Sequence, residues 1–515
     1  MANVPKIEII IYFCVWSTGI FYSIYKVYLI GNRFVQNTQY DDFSVGWPIT
    51  SRMKDVSDFE WNSMFPMLCS VSPWFVIHTL MQGVVNSLCN QYLMHSYFLI
   101  TSTCIIYFFG ISILLMFLVQ PLVFFLILQL RSKGMVWLSC IGFLTLLNMH
   151  PVTKMEEIHH LPHTSQYLVS VTLSWIHLRC ISFCLEKLSV DCIKSAIWQE
   201  EISNLLGYVF YLPLFFFGPV MLYKEFYRGS CPKKRLDWPL LESFLLNLVR
   251  FCSWAAFNEI SLHYIYCSAL AFQPDVVYGM DSWTLFGFGY CMGQFFMNKY
   301  TVLYGIPATF ARLERYDAPP HPKCIGRIHL YSDMWKYFDV GLYSFLVRYI
   351  FIPACGKTRK MRKKLFSSFL CFTFVYIWHG TNLYILVWST LNFLGITIEA
   401  MAKTIYMTPT YQHWELKWFS VGWSQRFHAL LASPLLMMSA LSNFYFFGGM
   451  EIGNIFVQKI LEGWNGVTIF VLLFLYCCCH VSVATKNWEK QKAGGSKELG
   501  KTKHCSTSRD KPKCL

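Results

Sequence analysis

Asp339 and His379, forty positions apart, are the two residues of this chain best placed by type and setting to do chemistry. From Leu365 to Ile398 there is no Asp, Glu, Lys or Arg, and His379 stands inside that run, in Trp378-His379-Gly380-Thr381-Asn382. An imidazole in such surroundings loses its hydration and needs a partner or a water-filled cavity. Asp339 stands in Asp333-Met334-Trp335-Lys336-Tyr337-Phe338-Asp339-Val340-Gly341, where a second apolar stretch begins. A carboxyl and an imidazole are the usual groups for moving a proton to or from a reacting atom. Ionisable residues within or at the edge of a bilayer mark function by default.

The elements that must position this pair are membrane helices. Of 515 residues, 55% are hydrophobic and 14% charged, against about 25% charged in a soluble chain. Aromatics make up 18%, as where Trp and Tyr line interfaces and packed interiors. Apolar content recurs from residue 9 to residue 485, which predicts one polytopic domain over 1–485 and a basic, disordered cytosolic tail over 486–515. Candidate spans are 9–25, 64–84, 97–131 (one long or two short), 135–149, 166–184, 203–223, 241–272, 281–303, 340–354, 365–398, 424–447 and 466–485. The first lacks a following small-residue cleavage site and reads as a retained helix. Arg250, Glu259 and His263 interrupt 241–272, and 340–354 is too short to cross. Such segments need protein or a cavity around them. The fold class is therefore all-α and polytopic, about ten transmembrane helices with re-entrant segments around a central cavity.

Net charge is +14, concentrated in three places. Lys357, Arg359, Lys360, Arg362, Lys363 and Lys364 form an acid-free block, Lys233-Lys234-Arg235 a second, and the tail carries nine Lys or Arg against Glu489, Glu498 and Asp510. Cytosolic loops carry such excess, and attraction to the membrane surface accounts for the tail without nucleic acid. No nucleic-acid-binding module occurs. The twenty cysteines are scattered without a CxxC pair and read as small buried hydrophobes. The stretch Glu156-Glu157-Ile158-His159-His160-Leu161-Pro162-His163 reads as a solvated loop rather than a metal site. Glu259 and His263, at i,i+4, read as satisfying one another.

The string Asp333 to Ala354, the Trp378-His379-Gly380 motif and Asn443 resemble the membrane-bound O-acyltransferase family, whose signature is a His in an apolar segment with an Asn or Asp some tens of residues before it. The likeness runs from about residue 5 to about 485. Lipid-modifying members mostly carry Asn upstream; Asp339, with Asp58-Phe59-Glu60-Trp61, is similar to the protein-acylating branch. Lys336 stands where that branch has Arg, which keeps the charge but loses the planar fork. A non-catalytic branch lacks the histidine, so His379 argues for an active enzyme.

The resemblance implies palmitoyl-CoA as donor and the N-terminal cysteine amine of a secreted Hedgehog-type protein as acceptor, joined as an amide in the endoplasmic reticulum membrane, with the Golgi as a further location. It implies catalytic roles for His379 and Asp339. Either one can be the base, and direct N-acylation and an S-to-N shift fit the same residues. Trp335 and Trp378 are expected in the wall of the site, Asn443 on the thioester, and Lys336 and Arg348 on the CoA phosphates. Cys324, in His321-Pro322-Lys323-Cys324, is by the same resemblance the thiolate ligand of a haem b. Read from the residues alone, Asp339 can also cap a helix or pair with Lys336 or Arg348. A lipid O-acyltransferase of the same family and a polytopic transporter are the competing readings. The basic block ending at Lys364 predicts a cytosolic start for the His379 segment. Fourteen residues on, about 21 Å along a helix, His379 is expected nearer the lumen, with acyl-CoA entering from the cytosol and the acceptor from the lumen.

Overall fold

The computed structural model describes residues 4–37, 42–149, 161–189, 198–230, 237–357, 360–462 and 466–504. Helix dominates, because in hydrocarbon an apolar segment can satisfy its backbone only internally. Among the described residues, nine helices are long and apolar enough to cross a membrane. They become ten if Tyr331–Tyr337 and Val340–Cys355, bent by 108°, count as one broken span. The expected all-α polytopic architecture holds.

Helix α1 (Lys6–Asn37) leads to a short antiparallel pair, β1 (Phe43–Val45) and β2 (Met53–Asp55), and then to α2 (Phe59–Leu88), whose first turn is capped by Asp58 accepting from the Trp61 amide at 2.6 Å. The stretch expected over 97–131 divides at Gly110 into α3 (Leu93–Phe109) and α4 (Ile111–Gln129). After α5 (Lys133–Asn148) comes α6 (His163–Lys187), buried along most of its length.

The span expected over 203–223 does not form. Helix α7 (Trp198–Val209) ends where Pro213 and Pro219 follow, and Phe210–Leu222 runs on without α-helix, every residue of it buried. Such backbone survives at membrane depth only with protein donors around it. Arg179 of α6, 2% exposed, supplies them: its Nη1 donates to the Val209 carbonyl at 2.8 Å and its Nη2 to that of Leu214. Thr101 donates to the Phe210 carbonyl at 2.5 Å, and the Tyr208 hydroxyl to that of Met221 at 2.6 Å.

Helix α8 (Tyr223–Gly229) precedes α9 (Trp238–Ser261), α10 (Cys267–Ala271), α11 (Pro274–Tyr278) and the long α12 (Ser282–Leu313), so the expected 241–272 segment is a span plus a separate short helix. Glu259 and His263 do not pair side chain to side chain. Glu259 accepts from Trp61 Nε1 at 2.8 Å and from Lys54 at 2.6 Å, while His263 Nδ1 faces the Glu259 main-chain carbonyl at 2.7 Å. Two tertiary acceptor duties outcompete the local pair.

The site-bearing half comprises α13 (Tyr331–Tyr337), α14 (Val340–Leu346, continued by a π turn and a last α turn to Cys355), α15 (Met361–Trp378), α16 (Leu383–Tyr406), α17 (Pro409–Trp418) and α18 (Val421–Val457). The 365–398 run is thus two helices broken at His379–Asn382, and α18 is kinked at Gly449. Helix α19 (Val467–His504) continues past residue 485 into the first part of the expected tail. Residues 505–515, the Lys233-Lys234-Arg235 cluster and Glu156–His160 lie outside the described residues.

Candidate active site in a central cavity

His379 is the C-terminal cap of α15: its amide bonds to the Val375 carbonyl at 3.0 Å, and Gly380, at φ +102°, turns the chain away. A side chain at 380 would resist that conformation, so glycine is needed to end the helix on the histidine. Asn148 of α5 fastens the end by donating to the Ile377 carbonyl at 2.8 Å. The imidazole is framed by the rings of Trp378, Trp388 and Phe446, with centroids at 4.8, 5.5 and 5.5 Å. Among the described residues no side chain hydrogen-bonds it, which leaves its nitrogens for a substrate.

Asp339 is held at both oxygens. Oδ1 accepts from the Leu342 amide at 2.8 Å, so the residue does cap α14, and Oδ2 accepts from the Tyr304 hydroxyl of α12 at 2.9 Å. Lys336 and Arg348 are not its partners. Gly341 lets this turn press on the irregular segment: a Cβ there would lie 2.3 Å from the Val220 carbonyl oxygen. The buried Phe210–Leu222 chain is thereby the floor on which Asp339 is set.

Both residues line one cavity of about 1180 Å³, larger than the ~300–1,000 Å³ of ordinary small-molecule sites. Trp335, Trp378 and Asn443 line it too. Trp335 Nε1 donates to Asn392 Oδ1 at 3.0 Å, Trp388 Nε1 donates to Asn443 Oδ1 at 3.1 Å, and Asn392 Nδ2 donates to Ser442 Oγ at 3.3 Å, which ties α13, α16 and α18 together around His379.

The structure does not bring the other expected residues to this wall. Lys336 is exposed, its ammonium 5.1 Å from the Tyr337 ring. Arg348 grips Glu186 of α6 through both Nε and Nη2. Cys324 is half-buried and free, outside the cavity lining. Among the described residues no three His, Cys, Asp or Glu are placed to hold a bare metal ion. Haem brings its own four nitrogens and asks for one thiolate; Cys324 offers a free, half-buried thiol.

Residues that sequence reasoning passed over complete the wall. Lys299 of α12 meets Asp58 at 2.9 Å and Glu60 at 2.6 Å, and Glu60 also accepts from Tyr300 at 2.6 Å and Tyr167 at 3.1 Å. With Asp339 and Glu451, four carboxyl residues among those described line the cavity, against one ammonium, that of Lys299. Trp175 of α6 has its ring centroid 6.2 Å from that of Tyr304 and 5.5 Å from that of Trp378.

A carboxyl and an imidazole free of hydrogen bonds to described side chains share the wall of a large, aromatic-rich chamber inside a helical membrane protein. The model of the membrane-bound O-acyltransferase family matches residues 131–442, and the chain belongs to that family. It is 31% identical over 477 residues to the Drosophila melanogaster protein-cysteine N-palmitoyltransferase Rasp, covering 92% of this chain and 94% of that protein. It is 30% identical over 485 residues to the Mus musculus protein-cysteine N-palmitoyltransferase HHAT, covering 90% and 95%. A Mus musculus HHAT-like protein is 24% identical over 438 residues, covering 84% and 85%.

Proposed function

We propose that this chain is a membrane-bound protein N-palmitoyltransferase. It transfers palmitate from palmitoyl-CoA to the N-terminal cysteine amine of a secreted Hedgehog-type protein and forms an amide. The observation that carries this reading is the placing of Asp339 and His379 on one cavity wall. It stands in a chain that resembles two protein-cysteine N-palmitoyltransferases through 90% or more of its length.

The chemistry asks for a neutral amine, a polarised thioester and exclusion of water. A free α-amine has a pKa of about 7.7–8.0, so modest help deprotonates it. His379, whose ring hydrogen-bonds no side chain among the described residues, is suited to take that proton. Asp339, held by Tyr304 and the Leu342 amide, is suited to fix the ammonium in front of it. Positioning alone can contribute several kcal/mol, about 7–11 at best. Asn443, its oxygen engaged by Trp388, keeps its amide nitrogen for the thioester. Lys336 is the freer of the two CoA-phosphate candidates, since Arg348 would have to leave Glu186.

Helix α15 starts beside the basic block and carries His379 at its far end. Its 18 residues span about 27 Å at about 1.5 Å each, which supports donor entry from the cytosol and acceptor entry from the lumen of the endoplasmic reticulum. Haem b on Cys324 belongs to the same reading, with Lys323 and Arg327 close by in sequence; Cys324 would hold the iron away from the transfer step.

The test is incubation of the purified protein with labelled palmitoyl-CoA and peptides beginning with Cys, Ser or acetylated Cys. Transfer to free N-terminal Cys alone is expected. Label in lipid instead of peptide would make the protein a lipid O-acyltransferase, and no transfer at all would favour a transport role.

A further inference from the structure

Glu489, on the part of α19 beyond residue 485, lies between two cations. Arg327 Nη1 meets one of its oxygens at 2.6 Å and Lys323 Nζ the other at 3.5 Å. All three side chains reach solvent: Lys323 is 43%, Arg327 42% and Glu489 32% exposed. The Lys323 ammonium also lies 4.2 Å from the centre of the Tyr337 ring, and the exposed Lys336 ammonium lies 5.1 Å from the same ring. Lys323, Arg327 and Lys336 thus form one cluster with Glu489 as its counter-ion.

The cluster stands at an edge of the central cavity. Ile325, Gly326 and Ile328, interleaved with Arg327 in sequence, line that cavity, as does Trp335 beside Lys336. Helices α15 and α16 run antiparallel, with Ser389 donating to the Phe372 carbonyl at 2.9 Å, so the C-terminal end of α16 returns to the level of the basic block at the head of α15. At that end Glu399 accepts from the Ser332 amide at 3.0 Å, which puts the segment carrying the cations on the side proposed for donor entry.

We propose that Lys323, Arg327 and Lys336 hold the phosphates of the CoA donor, and that Glu489 is a carboxylate stand-in displaced when those phosphates arrive. The inference rests on the acyl-transfer reading given above. Carboxylate and phosphate present the same paired oxygens to a guanidinium. Exposed ion pairs of this kind add little to stability, so Glu489 leaves at small cost, and CoA brings several negative charges against its one. The exchange is confined to side chains, because α19 keeps its other grips on the segment. Ser482 donates to the Arg327 carbonyl at 2.7 Å and meets His329 Nδ1 at 2.8 Å, while Lys486 holds Asp333 at 2.5 Å.

The test uses the full-length purified protein in phosphatidylcholine nanodiscs with two unreactive thioethers, hexadecyl-CoA and hexadecyl-pantetheine, the second lacking every phosphate. Wild type is expected to bind the CoA form at least about 10-fold more tightly, the scale of one charged hydrogen bond, with the preference shrinking in high salt. Lys323→Gln and Arg327→Gln should each weaken hexadecyl-CoA by up to about 10-fold and raise the KM for palmitoyl-CoA, with hexadecyl-pantetheine bound as before. Glu489→Gln should act in the opposite direction, strengthening hexadecyl-CoA by about 3-fold, and should have no effect once both cations are replaced. A merely structural latch would give losses in all three variants and with both thioethers. Weaker hexadecyl-CoA binding in Glu489→Gln, or normal binding in the cation variants, overturns the proposal and leaves acyl transfer standing. Wild type binding neither thioether would overturn both. Should the variants insert poorly, wild type decides alone: equal affinity for the two thioethers overturns the phosphate site.

Discussion

Tyr304 of α12 and Asp339 at the head of α14 are joined by a single hydrogen bond of 2.9 Å, the hydroxyl donating to Oδ2. The opposite oxygen is taken by the Leu342 amide at 2.8 Å, so the carboxyl cannot turn. Helix α12 also carries Lys299 and Tyr300, which place Asp58 and Glu60 on the same cavity. One helix thereby sets most of the acidic wall.

Asp339→Ala is expected to lower acyl transfer by at least about 100-fold, the lower range for a proton-handling group. Asp339→Asn keeps an oxygen for the Leu342 amide and should match wild type in thermal unfolding while remaining inactive. Tyr304→Phe removes only the hydroxyl and should cost about 5–10-fold in kcat, in keeping with a bond worth about 1–1.5 kcal/mol. Full activity in Asp339→Ala would take the residue out of the chemistry.

His379→Ala should also reduce transfer by at least about 100-fold. Because no side chain among the described residues hydrogen-bonds its ring, the variant should insert and unfold like wild type. A large loss of stability would reveal a structural histidine instead.

Arg179→Met should be among the more damaging substitutions far from the reacting groups. It strips two donors from the buried carbonyls of Val209 and Leu214, at about 1–3 kcal/mol for each group left bare. Loosening that floor should also disturb Gly341 and Asp339, so residual protein is expected to turn over slowly. Detergent-solubilised thermal unfolding, read beside kcat, measures both.

The β1–β2 hairpin carries a pH signature. Burial pushes the Asp55 carboxyl, 1% exposed, up to about 6, with Asp58 adding to the rise and the Ser57 and Ala269 amides opposing it. A carboxyl whose pKa is higher folded than unfolded stabilises the fold most below the unfolded value of about 3.9. That contribution is lost as pH rises through about 6. Unfolding temperature should therefore fall between about pH 4 and 6 through this group, and Asp55→Asn should flatten the slope. An unchanged slope in Asp55→Asn would assign the effect elsewhere.

Cys324→Ala should remove a haem absorbance band from the purified protein and leave the cavity residues in place. An unchanged spectrum would mean that the cofactor is absent or held by another residue.

Asp339 and His379 were legible because an ionisable group in an apolar run stands out by itself. Their companions were not. Trp175, Trp388, Tyr300 and Tyr304 are ordinary members of a chain with 18 Trp and 30 Tyr, and only tertiary contact separates a wall residue from a core residue. Phe210–Leu222 reads as a span because hydropathy reports burial, and burial in protein looks the same as burial in lipid. The prolines at 213 and 219 held the correction, and Arg179 held its reason, a cation inside an expected span. Arg348 and Lys336 both suggested phosphate contacts by charge, whereas Glu186, 162 residues away in sequence, commits one of them.

The carboxyl-rich wall has a consequence for turnover. Among the described residues, four acidic side chains and one ammonium line a chamber inside a chain of net charge +14. Under the proposed reaction, such a chamber would favour an ammonium over the phosphates of CoA. In the proposed reaction that ammonium becomes a neutral amide. The positive charge is lost when the amine gives up its proton before attack, so under the proposed reaction the wall attracts the arriving acceptor and no longer attracts the neutral amide product.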